Sequence, residues 1–290
     1  MRLWLILGVS SAVLAAEPAV AAPSVEIRGA AARVQVIPES RTDVQVTLVH
    51  ADPRLPIRVR RLGDRLFVIG DVAHRIRGCV GPGGRPGVAV FGRGAIAYEQ
   101  LPKIVIRTPP AVRLVAGEAV FGDIGRSASV DFTNEGCGDW TLADVAGRLR
   151  LNQAGAGAAR AGSAGSSDLS VVGAGGISVG QVRAGLTAVS SGAGDIAAAG
   201  VYGRLDARVG GSGNIDLASG SVGDMTVSIA GSGAVRFRGT ARTLRAAIAG
   251  TGDISVEKVT GRVAKQVFGA GRVRIGPFAV PAAASVRPAR

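Results

Sequence analysis

Aromatic residues make up only 4% of this 290-residue chain, so it lacks the rings on which a glycan-binding module stacks its sugars. Beyond the first residues, Trp140, Tyr98 and Tyr202 are the rings with a polar handle, and Trp140 falls at an interior position of its repeat, where a core role is expected. Histidine occurs twice, at His50 and His74, without the close partner spacing of a metal motif. Both precede the regular repeat and are expected to be ordinary strand or loop residues. Lysine occurs three times, at Lys103, Lys258 and Lys265, so nearly all the positive charge is arginine. Cysteine is limited to Cys79 and Cys137, and neither follows the leader closely enough to carry a lipid. After the leader, no apolar run reaches the ~20 residues that a membrane-spanning helix needs.

The chain opens with Met1 and Arg2, continues through the apolar stretch Leu3 to Ala16, and reaches Ala19-Val20-Ala21 before Ala22-Pro23. A charged end, an apolar middle and a small-residue site are the parts of a secretory signal peptide, and cleavage is expected after Ala21. The stretch is too short for an anchor. The mature protein is therefore expected outside the inner membrane, whether periplasmic, outer-envelope associated or extracellular. There a disulfide between Cys79 and Cys137 is permitted by compartment and number, although the sequence does not give their separation. The formal net charge of +13 survives cleavage, because Arg2 and Glu17 leave together. A basic protein in that compartment attracts anionic envelope polymers such as lipopolysaccharide, peptidoglycan or acidic polysaccharide, or another envelope protein, rather than nucleic acid.

Glycine, present 44 times, carries the strongest pattern. Pentads of the form Gly-x-Gly-x-[Ile/Val] begin at Gly173, Gly192, Gly211, Gly231, Gly250 and Gly269, with weaker copies at Gly117, Gly136 and Gly155. The leading glycines step by 19, 19, 18, 19, 19, 20, 19 and 19 residues. Around each pentad apolar residues alternate with polar ones, as in Leu205, Ala207 and Val209 around Asp206 and Arg208, which is the period of a strand with one buried face. Such a unit cannot bury its inner face alone and must stack on its neighbours. The repeat thus predicts an all-β fold, a parallel β-helix with rungs of about 19 residues over 116–276 and a rod on the order of 40 Å long. Corner glycines are expected to supply sharp turns, often at positive φ. A propeller would need a repeat of ~40 residues, and calcium-binding β-rolls repeat every nine or so with Asp in each turn. Residues 22–115 alternate without clear pentads and are expected to form irregular first rungs or a cap. Within them, 78–94 reads as a Gly- and Pro-rich surface loop. Residues 277–290 read as a loose tail.

The pentads Gly211-Ser212-Gly213-Asn214-Ile215, Gly192 to Ile196 and Gly250 to Ile254, with the leading strands Val25 to Val36 before Leu101-Pro102-Lys103-Ile104, resemble the "putative auto-transporter adhesin head GIN domain" family of exported bacterial proteins. The resemblance implies a right-handed, single-stranded β-helix with an adhesive or surface-structural role. It supplies no catalytic residue. The copies at Gly117, Gly136 and Gly155 depart from the pattern, which leaves the register there open.

Three readings of function follow. Asp139, Asp195, Asn214 and Asp253 share one repeat position and could form a cation ladder. Ala158, Gly176, Ala234 and Arg272 interrupt it, so side-chain to backbone turn bonding is the expected role. A polysaccharide-acting enzyme would need clustered carboxylates. Asp206, Asp216 and Asp224 are instead scattered over separate strands and turns. No catalytic, cofactor-binding or metal-binding residue is assigned, and no cofactor is called for. The sequence favours a non-enzymatic envelope protein with a structural, adhesive or interaction role, with an Arg-mediated binder of anionic glycans and an enzyme as alternatives. Lys265 stands in an inward column between Val263 and Val267, near the rod end, where it can reach solvent.

Overall fold

The computed structural model describes residues 23–277, apart from 82, 83 and 85, so the expected leader and the residues after Pro277 lie outside the described residues. Strands stack in parallel on two long faces joined at glycine corners. The first face runs β9 (Lys103–Thr108), β2 (Ala31–Pro38), β11 (Ala119–Ile124), β13 (Trp140–Leu142), β15 (Ala159–Ala161), β17 (Ile177–Val182), the start of β19 (Ile196–Val209), β20 (Ile215–Leu217), the start of β22 (Ala234–Gly250), β23 (Asp253–Val259) and β25 (Arg272–Ile275). The second runs β5 (Arg65–Ile69), β1 (Ser24–Arg28), β10 (Ala111–Ala116), β12 (Ser129–Asn134), β14 (Val145–Gln153), β16 (Ala164–Val171), β18 (Leu186–Ser190), the end of β19, β21 (Gly220–Ile229), the end of β22 and β24 (Val263–Gly269). The fold is a parallel β-solenoid with rungs of about 19 residues.

The N-terminal third contributes rungs and a cap together. Strands β1 and β2 form the second rung, slotted beneath β10 and β11, while the first rung is built from β5 and β9, later in the chain. Below it β3 (Gln45–His50) pairs antiparallel to β9, and β4 (Arg58–Leu62) pairs antiparallel to β5. Reversing direction ends the parallel ladder, and Arg58, Arg60 and Arg61 place charge along the outer strand, which deters further pairing.

Segment 78–94 is not the surface loop that its glycines and prolines suggest. Its residues 78–80, 86–90 and 94 belong to a three-stranded antiparallel sheet of β6 (Ile76–Val80), β7 (Pro86–Val90) and β8 (Gly94–Ala97). Val88, Val90 and Ile96 turn inward and pack with Leu55, Leu101, Ala119 and Phe121 in a second core beside the solenoid. Gly87 is required there, since a Cβ would fall under 3.0 Å from the Ile96 carbonyl oxygen. The Sγ atoms of Cys79 and Cys137 are bonded, tying this sheet to the corner at Gly136-Cys137-Gly138, and Arg93 pairs with Asp71 at 2.6 Å beside it. A Cys79→Ser/Cys137→Ser variant is expected to lose about 2–4 kcal/mol and to be cut first within 76–97 by limited proteolysis, with the wild type resistant until reduced.

The glycine corners owe their composition to close approach more than to turn geometry. A Cβ on Gly136, Gly155, Gly173, Gly192, Gly211 or Gly231 would fall under 3.0 Å from the carbonyl oxygen of the preceding corner, although none of these has positive φ. Of the leading glycines only Gly250 and Gly269 do. The third position behaves alike, with Gly213 against the Gly194 oxygen and Gly233 against the Gly213 oxygen.

Inside, one column of the second face reads Leu66, Val25, Leu114, Phe132, Leu151, Leu169, Ala188, Ala207, Val227 and Ala246, all buried, and then Lys265. In the last described rung Lys265 is exposed, its Nζ donating to the Val273 carbonyl at 3.5 Å. An inward-facing charge at an open edge resists addition of another strand. Lys265→Ala is therefore expected to shift the protein toward larger species in sedimentation velocity, relative to wild type at equal concentration.

Candidate interaction surface

Each residue of the Asp/Asn position accepts a backbone hydrogen bond from the next rung. Asp139 Oδ1 accepts from Ala158 N at 2.8 Å, Asp195 Oδ1 from Asn214 N at 2.7 Å, Asn214 Oδ1 from Ala234 N at 3.1 Å and Asp253 Oδ1 from Arg272 N at 3.0 Å. An oxygen engaged in this way staples rung to rung, and the position needs an acceptor only where the strand pattern leaves an amide unpaired.

The scattered carboxylates do not converge. Asp206 pairs with Arg208 at 2.6 Å on the second face, Asp216 with Arg236 at 3.3 Å on the first, and Asp224 with Arg242 at 3.0 Å near a corner. His50 lies on the cap strand β3, and His74 sits in a turn before β6 with φ of 62°. Trp140 is buried, stacks on Phe132 with ring centroids 4.7 Å apart, and donates Nε1–H to the Val120 carbonyl at 2.9 Å. Tyr98 lies under the Arg33 guanidinium, 5.5 Å from its centroid, and Tyr202 is partly exposed.

The solenoid instead gathers arginines. Register places Asp224 beside Thr243 and Thr226 beside Arg245, and the Leu244 amide bonds the Arg262 carbonyl, so Asp224, Thr243 and Arg262 stand on successive rungs. Asp224, Arg242, Thr243, Leu244, Arg245, Gly261, Arg262 and Ala264 enclose a groove of about 350 Å³. Arg204 stands one rung below Asp224 and lies near enough to act on its charge. The groove and its margin thus carry four arginines, Arg204, Arg242, Arg245 and Arg262, against one carboxylate.

Asp224 is held in place and kept ionised. The Thr243 hydroxyl donates to Oδ1 at 2.7 Å and holds the carboxyl below its usual range. Burial pushes the other way, and the fields of Arg242, Arg204 and Arg245 add to the lowering. A lowered carboxyl pKa means that the charge is lost only as pH falls below the ordinary carboxylate range, and arginine does not titrate near neutrality. The groove therefore keeps a surplus of three positive charges from pH 5 to 8, and binding of a sulfated polymer, whose own charge is fixed, is expected to be flat over that interval in a pull-down assay.

None of these arginines stood out in the sequence. Their signal is repeat spacing, with Arg204, Asp224, Thr243 and Arg262 separated by 20, 19 and 19 residues, although the sequence alone does not say that one repeat position faces outward beside a corner.

Residues 184–277, which contain the whole groove, match the family model described as "Putative auto-transporter adhesin, head GIN domain". No curated protein matches the chain. In fold, the chain is similar to the crystal structure of a "Putative lipid binding protein" from Parabacteroides distasonis, which is 16% identical with a TM-score of 0.51, over 87% of this chain and 92% of that one. Among the described residues, no helix is long and apolar enough to cross a membrane.

Proposed function

We propose that this chain is an exported, non-enzymatic protein of the cell envelope that holds an anionic envelope polymer on arginine side chains carried by a rigid solenoid. The observation that carries the reading is the groove at Arg242, Arg245 and Arg262, where cationic side chains converge while Asp224 is already engaged by Thr243 and Arg242. Guanidinium groups fit planar and tetrahedral oxyanions through paired N–H donors, and a row of them on a stiff support binds a polymer multivalently. The match to an adhesin head domain over 184–277 supports both export and an adhesive role. A lipid-binding role does not carry over from the solved neighbour, since apolar side chains of this chain fill the lumen.

The enzyme alternative separates from this reading in one assay. Mature protein incubated with acidic polysaccharides is expected to be retained on them at low ionic strength, released at high salt, and to leave their chain length unchanged. Release of oligosaccharides in proportion to protein concentration would establish an enzyme instead.

A further inference from the structure

The groove brings several uncommitted guanidinium groups together on successive rungs. Elsewhere on the outer faces some arginines pair across rungs or along a strand, as Arg150 does with Asp131 at 3.4 Å, Arg148 with Asp168, and Arg236 with Asp216 at 3.3 Å, while others, such as Arg113, Arg160 and Arg183, stand singly without an ion pair among the described residues. Exposed pairs of this kind contribute little stability, but they do neutralise the surface locally. At the groove the acid is outnumbered. Asp224 Oδ1 takes both the Thr243 hydroxyl and the Arg242 guanidinium, and among the described residues Arg204, Arg245 and Arg262 make no ion pair within 4.0 Å. All three are exposed, on rungs that stack in parallel at ~4.8 Å. Their guanidinium groups can therefore swing onto one ligand without breaking a packed contact.

We propose that this groove is a binding site for phosphoryl groups, taken from a phosphorylated glycan, with Arg245 and Arg262 as the principal ligands, Arg204 as a lateral contact, and Asp224 with Thr243 as the support that positions Arg242. This rests on the reading of the protein as a binder of anionic polymers and names the chemistry that its site selects. A phosphate monoester carries ≈ −1.5 to −2 charges and three acceptor oxygens, which matches three separated guanidinium groups and a local surplus of three positive charges. A carboxylate offers two oxygens and one charge, and the groove already holds one in Asp224, leaving most of those donors unused. The carrier is a glycan because the groove opens along the side of a rod. Strands flank it, and of the apolar residues that line it Leu244 is buried and Ala264 exposes only a methyl group, so the lining offers no large apolar side chain to a bilayer.

The test uses mature full-length protein and two charge-matched polymers on one backbone, dextran phosphate and carboxymethyl dextran, with phosphatidylglycerol vesicles as a third probe. Wild type is expected to prefer dextran phosphate, and Arg245→Gln/Arg262→Gln to bind it about 10-fold or more weakly, because each charge-assisted bond lost contributes on the order of one decade. Arg58→Gln/Arg60→Gln removes the same charge from the cap strand at the far end and is expected to change binding less than about 3-fold. Both pairs are exposed, and matched melting temperatures will show that the folds are intact. Arg245→Lys/Arg262→Lys, which keeps charge without the planar fork, is expected to recover only part of the affinity. Equal binding to carboxymethyl dextran would overturn the phosphoryl assignment, and preferred binding to vesicles would overturn the glycan source. An equal loss in the cap variant would overturn the site while leaving the polymer-binding function standing. Failure of wild type to bind either dextran would overturn both.

Discussion

Gly211→Ala/Gly213→Ala is expected to lose roughly 2–6 kcal/mol, about 1–3 for each site, because each new methyl must force two corners apart. The Gly211 position meets the Gly192 carbonyl oxygen, and the Gly213 position meets the Gly194 oxygen and the Ser190 hydroxyl, all under 3.0 Å. Those atoms are backbone or are fixed by backbone: Ser190 Oγ is held by its own bond to the Gly194 carbonyl at 2.9 Å. Relief therefore requires separating rungs that pair along their length on either side. In a solenoid the damage is local, so the variant is expected to show an early first transition in thermal unfolding and loss of hydrogen-exchange protection around 190–217. Gly78→Ala is the control: a Cβ there meets nothing within 4 Å, and its stability is expected to stay within about 0.5 kcal/mol of wild type. If the double variant melts with the control, the corners do not stack as described.

Trp140→Ala is the second large loss, about 3–5 kcal/mol. Trp140 is the largest fully buried side chain among the described residues, and it fills the lumen where Gly122, on the rung beneath, leaves room for its ring. Removing it empties a space that flanking strands cannot collapse into, since β11 and β15 fix the spacing of β13 on both sides. It also strips the Val120 carbonyl of its indole donor, leaving a buried acceptor without that partner. Trp140→Phe should recover part of the packing but not the hydrogen bond. Chemical denaturation followed by far-ultraviolet circular dichroism gives both values, and a loss under 1 kcal/mol for alanine would contradict a core position.

The regular rungs were legible because two independent periods coincide. Alternation by two marks the faces, and glycine every 19 residues or so marks the corners, so register follows from Gly173 onward. The reason for the glycines was only half legible: positive φ was the expectation, whereas carbonyl proximity between rungs, which no single repeat contains, dominates. The interleaved start could not be read. Strand β1 pairs between β5 and β10, and Gly29 donates to the Glu118 carboxylate at 2.6 Å from 89 positions away, a partnership that leaves no local signature. The β6 to β8 sheet was hidden because its apolar residues, Val88, Val90 and Ile96, are sparse among glycines, of which Gly87 answers to a close approach and Gly84, Gly92 and Gly94 to positive φ. Inside the second face, Asn134, Gln153 and Ser190 stand where Val209 and Ile229 stand in other rungs, and Asn134 Nδ2 donates to Gly138 O at 2.9 Å and Gln153 Oε1 at 3.1 Å. Of these, Asn134 and Gln153 put polar letters at inward positions and blurred the pattern before Gly173. The arginine groove needed both the register and knowledge of which repeat position faces outward beside a corner.

The measurement that most directly tests the central claim is co-sedimentation of mature protein with isolated envelope polymers, at low and at high salt, with the supernatants assayed for released fragments. Saturable binding at low salt, release at high salt and no fragments is the expected result. Fragments in the supernatant, or binding indifferent to salt, would contradict an arginine-borne, non-catalytic interaction.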